Sequence, residues 1–463
     1  INLTLLFSAV ILFSLAIILY FRSSVYIPSD KLIVNLVIFI LVFFGLLILA
    51  SIQLKREAKV NLILTGASVA FCILFFEFGL YTKKKIEQTP YVWDWATYRS
   101  LDKSMAAKKL DTFWDKRTKF EVLSDLRKTD PTSVLSIHPT DLALENGLIA
   151  PDLKQLYPLG GISNRRTVLC NESGRWTTYK SDKHGFRNSA DAWSNSVEIA
   201  IIGDSFAHGA CVQEGEDIAA LFRRSGINSL SLGILGNGPL TELATLREFG
   251  PKLKPKTVFW FFYEENDIEN MKSESSSKIL MKYLKNPNYT QGLILKQKIV
   301  DSLLETYIAT KLIKYNSGRS IQSIKKNPPS YKFYLSQIFN KKIINNFKLI
   351  EIRQLLGLGF HGLVPPMFAN ILTRAKDTVS AWGGKLVFVN LPGWTRYATN
   401  YKTLYDSDVI DVVKELKIDV IDFNKSLATQ RDPLNYFELR IHNHYNREGY
   451  KLLFQQIQSY LNN

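Results

Sequence analysis

Three observations predict an α/β fold with three layers, a parallel sheet between helices, preceded by about three transmembrane helices. From Val197 onward short apolar runs alternate with amphipathic stretches, the pattern of strands buried on both faces. Gly203, Asp204, Ser205 and Phe206 close the first of these runs, placing a serine where open α/β sheets carry their chemistry, just beyond the carboxyl end of a strand. Ahead of them lie three apolar stretches, each about as long as the roughly 20 residues that cross a bilayer as helix.

Those stretches are Ile1 to Phe21, Leu32 to Leu54 and Val60 to Tyr81, within a transmembrane region of residues 1–85. The first has no basic leader and no small-residue cleavage site near Tyr20, so it reads as a retained helix rather than a signal peptide. Lys55, Arg56 and Lys59 outnumber Arg22 and Lys31 in the neighbouring loop. The second loop is therefore expected in the cytoplasm and the chain after about Lys83 outside it, although Lys83, Lys84 and Lys85 argue the other way. Residues 86–158 mix aromatics, charges and helical spacing without a chemical motif and read as a juxtamembrane helical stalk. Tyr157-Pro158-Leu159-Gly160-Gly161 marks a boundary, and a domain over 159–463 follows.

In that domain strands are expected at Val197 to Ile202, Ser229 to Leu232, Thr257 to Phe262, Lys385 to Asn390 and Asp419 to Asp422. Helices are expected near Gly215 to Arg224, Pro239 to Phe249, Pro366 to Trp382, Asp408 to Leu416 and Glu448 to Leu461. The arrangement is flavodoxin-like. A Lys- and Asn-rich helical insertion at about 271–362 interrupts it, as an extra helical layer, a cap over the site or a surface lying against a membrane.

The chain has 463 residues and a formal charge of +16. Eight basic against three acidic groups in residues 1–85 give +5 there and leave +11 downstream. The basic residues show no zinc, RNP or recognition-helix pattern, so nucleic acid is not expected as a partner; anionic glycans or lipid headgroups are. Of three cysteines, Cys72 falls in a predicted membrane helix. Cys170 and Cys211 either pair, stapling an upstream segment to the loop after the serine, or remain two unpaired thiols.

Four blocks then occur in order: Gly203-Asp204-Ser205-Phe206, the glycine run Leu232 to Gly238, Glu264-Glu265-Asn266-Asp267, and His444-Tyr445-Asn446. Together they resemble the SGNH/GDSL hydrolases over roughly residues 160–463. Cys170-Asn171-Glu172 and Ser181 to Asn188 resemble an upstream extension of bacterial membrane-anchored members. The resemblance implies Ser205 as nucleophile, His444 as general base, and an oxyanion hole from the Ser205 and Gly236 backbone N–H groups with the Asn266 amide; Gly233 or Gly238 could take the place of Gly236. The family usually carries Asp three residues before the histidine, where this chain has Ile441. Asp432 is the expected substitute, with Glu438 or a backbone carbonyl as alternatives. Glu265 stands where the family often has glycine. A metal site from His442, His444 and Asp204 matches no ligand spacing, and no cofactor is expected.

The resemblance implies a membrane-anchored serine esterase or O-acyltransferase acting on acyl, above all acetyl, esters of a cell-envelope glycan. Its expected setting is the bacterial inner membrane with the large domain outside the cytoplasm, in contact with the bilayer and with a membrane-bound acyl donor. The alternative is a glycan-binding or polysaccharide-assembly subunit that has kept the fold and lost turnover.

Overall fold

The computed structural model describes residues 103–322 and 364–462, apart from 139–141, 143–146, 150–154, 194–195 and 399–405, together with scattered positions between 2 and 76. Two compact units divide the chain: residues 1–89 with 330–358, and residues 90–329 with 359–463.

The second unit is built on a five-stranded, all-parallel sheet: β1 (Ile199–Ile202), β2 (Ser229–Ser231), β3 (Thr257–Tyr263), β4 (Lys385–Leu391) and β5 (Asp419–Asp422), in the order β5-β4-β3-β1-β2. The chain runs outward from β1 to β2, then returns across it to β3, so the order reverses beside β1. Crevices at such reversals, outside the carboxyl ends of the strands, are where α/β sheets bind ligands. Strand β3, Thr-Val-Phe-Trp-Phe-Phe-Tyr, is buried at every position after the first, as a central parallel strand with helices on both faces requires.

Helix α1 (Ser205–His208) follows β1, α2 (Ile218–Arg224) leads to β2, and α3 (Pro239–Leu253) links β2 to β3. Helix α4 (Asp267–Glu274) follows β3, α5 (Pro366–Ser380) precedes β4, α6 (Asp406–Glu415) precedes β5, and α7 (Arg447–Asn462) ends the unit. One face of the sheet packs Ala200, Trp260 and Phe388 with α3 and α5, and the other packs Ile201, Phe261 and Val389 with α2 and α7. This alternation follows from the two-residue period of a strand.

One expectation is corrected. A bilayer core needs about 20 consecutive apolar residues in one helix, and among the described residues no helix is long and apolar enough to cross a membrane. The three transmembrane helices are therefore not supported; most of the positions assigned to them lie outside the described residues. The described residues of 86–158 begin at residue 103. They belong to the same compact unit, and the strand Val134–Leu135 pairs in parallel with Arg166–Val168, which pairs antiparallel with Thr178–Lys180. Of the insertion, helices Lys278–Lys285 and Gln297–Gln322 are described, and 323–363 lie outside the described residues.

Candidate active site

Strand β1 ends at Ile202, and Gly203 turns the chain into α1. A Cβ on Gly203 would lie 2.9 Å from both Ala207 Cβ and Phe261 Cβ, so only glycine lets the turn close against α1 and β3. Asp204 caps α1: its Oδ1 accepts from the Phe206 N–H at 2.9 Å. Ser205, buried at 5 % exposure, opens the helix, and its hydroxyl donates to Asp204 Oδ2 at 3.0 Å rather than to His444. Burial pushes the Asp204 carboxyl up, against the Phe206 N–H and the nearby His444, which favour its anion.

His444 stands between an isolated bridge, Phe437 to Tyr445, and the start of α7. Its ring lies 5.0 Å from that of Phe206, the residue after the serine, and Tyr450 of α7 donates its hydroxyl to the Phe206 carbonyl at 2.9 Å. The late histidine is thus packed onto the helix that Ser205 opens.

The group that holds His444 is Glu172. Its Oε2 takes both the His444 backbone N–H, at 2.9 Å, and Nδ1, at 2.8 Å, while Oε1 takes Lys103 Nζ at 2.8 Å. Burial works to raise this carboxyl, but His444 and Lys103 outweigh it and hold it well below the ordinary carboxylate range. Glu172 is therefore an anion at neutral pH. With Nδ1 engaged, the imidazole has its Nε2 edge for a proton from a serine.

Asp432 does not take this position. Its carboxylate caps Leu434 N–H at 3.2 Å and pairs with Arg440 at 2.7 Å, and its side chain is 37 % exposed. Glu438 does not either: burial, with the charges of Glu172 and Glu216, pushes its carboxyl up to about 8, which leaves it uncharged at neutral pH. It touches His444 through the backbone, its N–H donating to the His444 carbonyl at 3.0 Å.

Sequence reasoning quoted Glu172 without giving it a role. The usable signal was its position two residues after Cys170. Cys170 is bonded to Cys211, six residues beyond the serine, with the two Cα atoms 5.3 Å apart. A Cys211 Sγ, a Glu172 oxygen and a His444 nitrogen all lie within 4.8 Å of one another. The sulfur is part of the disulfide, so this trio has no thiolate to offer a metal.

The oxyanion donors named from sequence follow three adjacent strands: Ser205 after β1, Gly236 after β2 and Asn266 after β3. Of the three glycines in the second block, Gly233 gives its N–H to Ser231 Oγ at 3.3 Å and Gly238 gives its own to Glu274 Oε1 at 2.6 Å. That leaves Gly236, whose φ of +78° suits glycine at this turn. Side-chain bonds join the three loops: Asn237 Nδ2 donates to the Gly203 carbonyl at 3.4 Å and Asn270 Nδ2 to the Asn237 carbonyl at 3.2 Å. The Asn266 amide oxygen is buried with no partner among the described residues.

His208, three residues from the serine, is a core histidine. Nδ1 accepts the Leu235 N–H at 3.2 Å, Nε2 meets Tyr179 Oη at 3.1 Å, and burial keeps the ring neutral by lowering its pKa. His442 pairs instead with Glu265 at 2.6 Å. The upstream loop from Ser181 to Asn188 is structural: Asp182 takes the His184 and Phe186 N–H groups, and Asn188 bonds the Ser231 backbone in both directions at 2.8 Å.

No protein-family model matches the chain, and no curated relative matches it either. Several solved structures resemble it. One is a lipolytic protein of the G-D-S-L family from Desulfitobacterium hafniense DCB-2, 14 % identical, covering 57 % of this chain and 99 % of its own, with a TM-score of 0.31. Others are a psychrotrophic esterase from a Pseudoalteromonas species, 12 % identical over 58 % of this chain and all of its own, TM-score 0.27, and a lipase/acylhydrolase from Enterococcus faecalis, 12 % identical over 56 % of this chain and 93 % of its own, TM-score 0.27. Likeness at these scores assigns no function by itself.

Proposed function

We propose that the second unit is a serine esterase or acyltransferase of the SGNH/GDSL type. Ser205 is the nucleophile, His444 the base, Glu172 the orienting acid, and Ser205 N–H, Gly236 N–H and the Asn266 amide the oxyanion donors. The observation that carries this reading is the pair of hydrogen bonds that Glu172 Oε2 makes with His444, with Nδ1 at 2.8 Å and with the backbone N–H, which donates at 2.9 Å. A buried carboxylate costs desolvation, and here it fixes one histidine's tautomer and orientation against Phe206, the residue after a buried serine.

In the reaction Ser205 Oγ turns from Asp204 to His444 Nε2, attacks the ester carbonyl and passes its proton to the imidazole. The oxyanion meets the three donors. His444 then returns the proton to the departing alcohol, leaving an acyl-serine. Water or a sugar hydroxyl, deprotonated by the same imidazole, attacks that intermediate and releases acid or the transferred ester.

The substrate we assign is an acetylated glycan of the cell envelope. The Cys170–Cys211 bond supports a setting outside the cytoplasm, since such bonds persist in oxidising compartments. One observation favours the non-catalytic alternative, namely that the Ser205 hydroxyl rests on Asp204. A fluorophosphonate probe separates the two, because it reacts only with an activated serine. Labelling of the wild type, lost in Ser205→Ala and His444→Ala, is expected; an unlabelled but folded wild type would leave the glycan-binding reading.

A further inference from the structure

A cavity of about 350 Å³ opens beside α2, between residues 179–191 before β1 and the loop after α1. Lys180, Arg187, Arg223 and Arg224 line it. Its acids are Asp191, Glu214 and Asp217, and Glu214 pairs at 3.5 Å with Arg166, which is not part of the wall. Four cations thus face the two acids that Arg166 does not engage, a surplus of two positive charges. Lys180 and Arg224 are the exposed cations. Lys180 Nζ has no partner among the described residues, and Arg224 donates through Nη2 to the Gly215 carbonyl.

The two inner cations are fixed by the fold and remain short of acceptors. Arg187, its side chain 4 % exposed, donates through Nη1 to the Gly209 carbonyl and through Nη2 to the Val212 carbonyl at 3.0 Å. Its guanidinium carbon lies 5.6 Å from the centre of the Tyr179 ring. Arg187 Nε is buried with no hydrogen-bond partner, because Asp217 Oδ2 stands off at 3.8 Å and Asp217 Oδ1 caps α2 by accepting the Ala220 N–H at 2.9 Å. Arg223 makes both of its hydrogen bonds through Nη1, to Asn188 Oδ1 at 3.3 Å and to the Ser229 carbonyl at 2.8 Å. Its Nε and Nη2 have no hydrogen-bond partner among the described residues. A guanidinium carries five donors, and taking its charge out of water without matching acceptors is costly.

We propose that this cavity binds a phosphate monoester, its phosphoryl oxygens taken by Arg223 Nε and Nη2 and by Lys180 and Arg224, with Arg187 as a buried positive charge behind them. The surplus of two charges matches a phosphate monoester, which carries about −1.5 to −2 at neutral pH, where a carboxylate would leave one cation unmatched. The arginine fork suits phosphate oxygens, which accept two parallel N–H bonds. The volume falls within the range of about 300–1,000 Å³ that small-molecule sites occupy, so the group esterified to the phosphate has room. Arg187 also bonds the carbonyl of Gly209, the C-cap of the helix that Ser205 opens, so the site is built on the loop that leaves the nucleophile. The inference does not depend on the serine acyl-transfer reading.

The test is isothermal titration calorimetry of the whole chain with glycerol 3-phosphate, beside glycerate, its carboxylate counterpart. Glycerol 3-phosphate should bind, and glycerate should bind at least about tenfold more weakly, the scale of one lost charge-assisted hydrogen bond. Arg223→Gln should raise the Kd for glycerol 3-phosphate by at least the same factor. Lys180→Gln combined with Arg224→Gln, both at exposed positions, should raise it about two- to fivefold, as exposed ion pairs do. Circular dichroism verifies that each variant folds, and should Arg223→Gln unfold, the exposed pair decides alone. No heat of binding at millimolar glycerol 3-phosphate would overturn the inference. So would equal affinity for glycerate, or a Kd that the substitutions leave unchanged.

Discussion

Glu172 gives one oxygen to two donors of the same residue, and so fixes the place of His444 through its backbone and the orientation of its ring through Nδ1. Asp432, by contrast, serves the loop through Arg440 and the Leu434 N–H. Asp432→Asn should therefore change kcat on a small acetate ester by less than about threefold, where an orienting acid would cost about 10⁴. Steady-state kinetics distinguishes these. Asn266→Ala should lower kcat by about 10²- to 10³-fold with KM nearly constant, as expected for a donor that acts on the oxyanion alone. Ser205, Asn266 and His444 were named from sequence blocks that resemble those of the SGNH/GDSL hydrolases, and each lies beside an element boundary. Glu172 was not, because its relation to His444 spans 272 positions and exists only once the disulfide loop is folded.

At the scale of elements, the five strands were legible within one or two residues at their ends, and β1, β3 and β4 read as apolar runs because they are buried on both faces. What the pattern could not show is the buried acid behind the site. Glu274, at the end of α4, accepts the Gly238, Leu240 and Thr241 N–H groups at the start of α3 and so ties the glycine block to the asparagine block. Burial nonetheless pushes its carboxyl from 4.5 up to about 7. In that window the folded chain keeps a proton that the unfolded chain has released, so this group's contribution to stability is present below about pH 4.5 and declines as pH rises toward 7. The slope is at most about 1.4 kcal/mol per pH unit for one proton. Glu274→Gln has nothing to titrate there. Urea unfolding between pH 4.5 and 7 should show a flatter dependence in the variant than in the wild type, and parallel curves would refute the shifted acid.

Across the whole unit, the bonds that hold His444 depend on a segment upstream of the sheet. Lys103 and Glu172 come from before β1, and the Cys170–Cys211 bond ties their segment to the loop after Ser205. Residues 86–158 carry no chemical motif in the sequence, and their described part supplies the counter-charge for Glu172. Cys170→Ser with Cys211→Ser should cost about 2–4 kcal/mol of stability, the usual range for removing a native crosslink. It should also lower kcat in the protein that remains folded, because Glu172 loses its anchor two residues away; denaturant titration and kinetics on the same sample separate the two effects. The central claim, that Glu172 completes a serine-histidine pair, is tested most directly by the rate of fluorophosphonate labelling in Glu172→Gln. A fall of about 10³-fold or more against the wild type, with the circular dichroism spectrum preserved, is the predicted result; labelling at the wild-type rate would show that His444 is oriented by something other than Glu172.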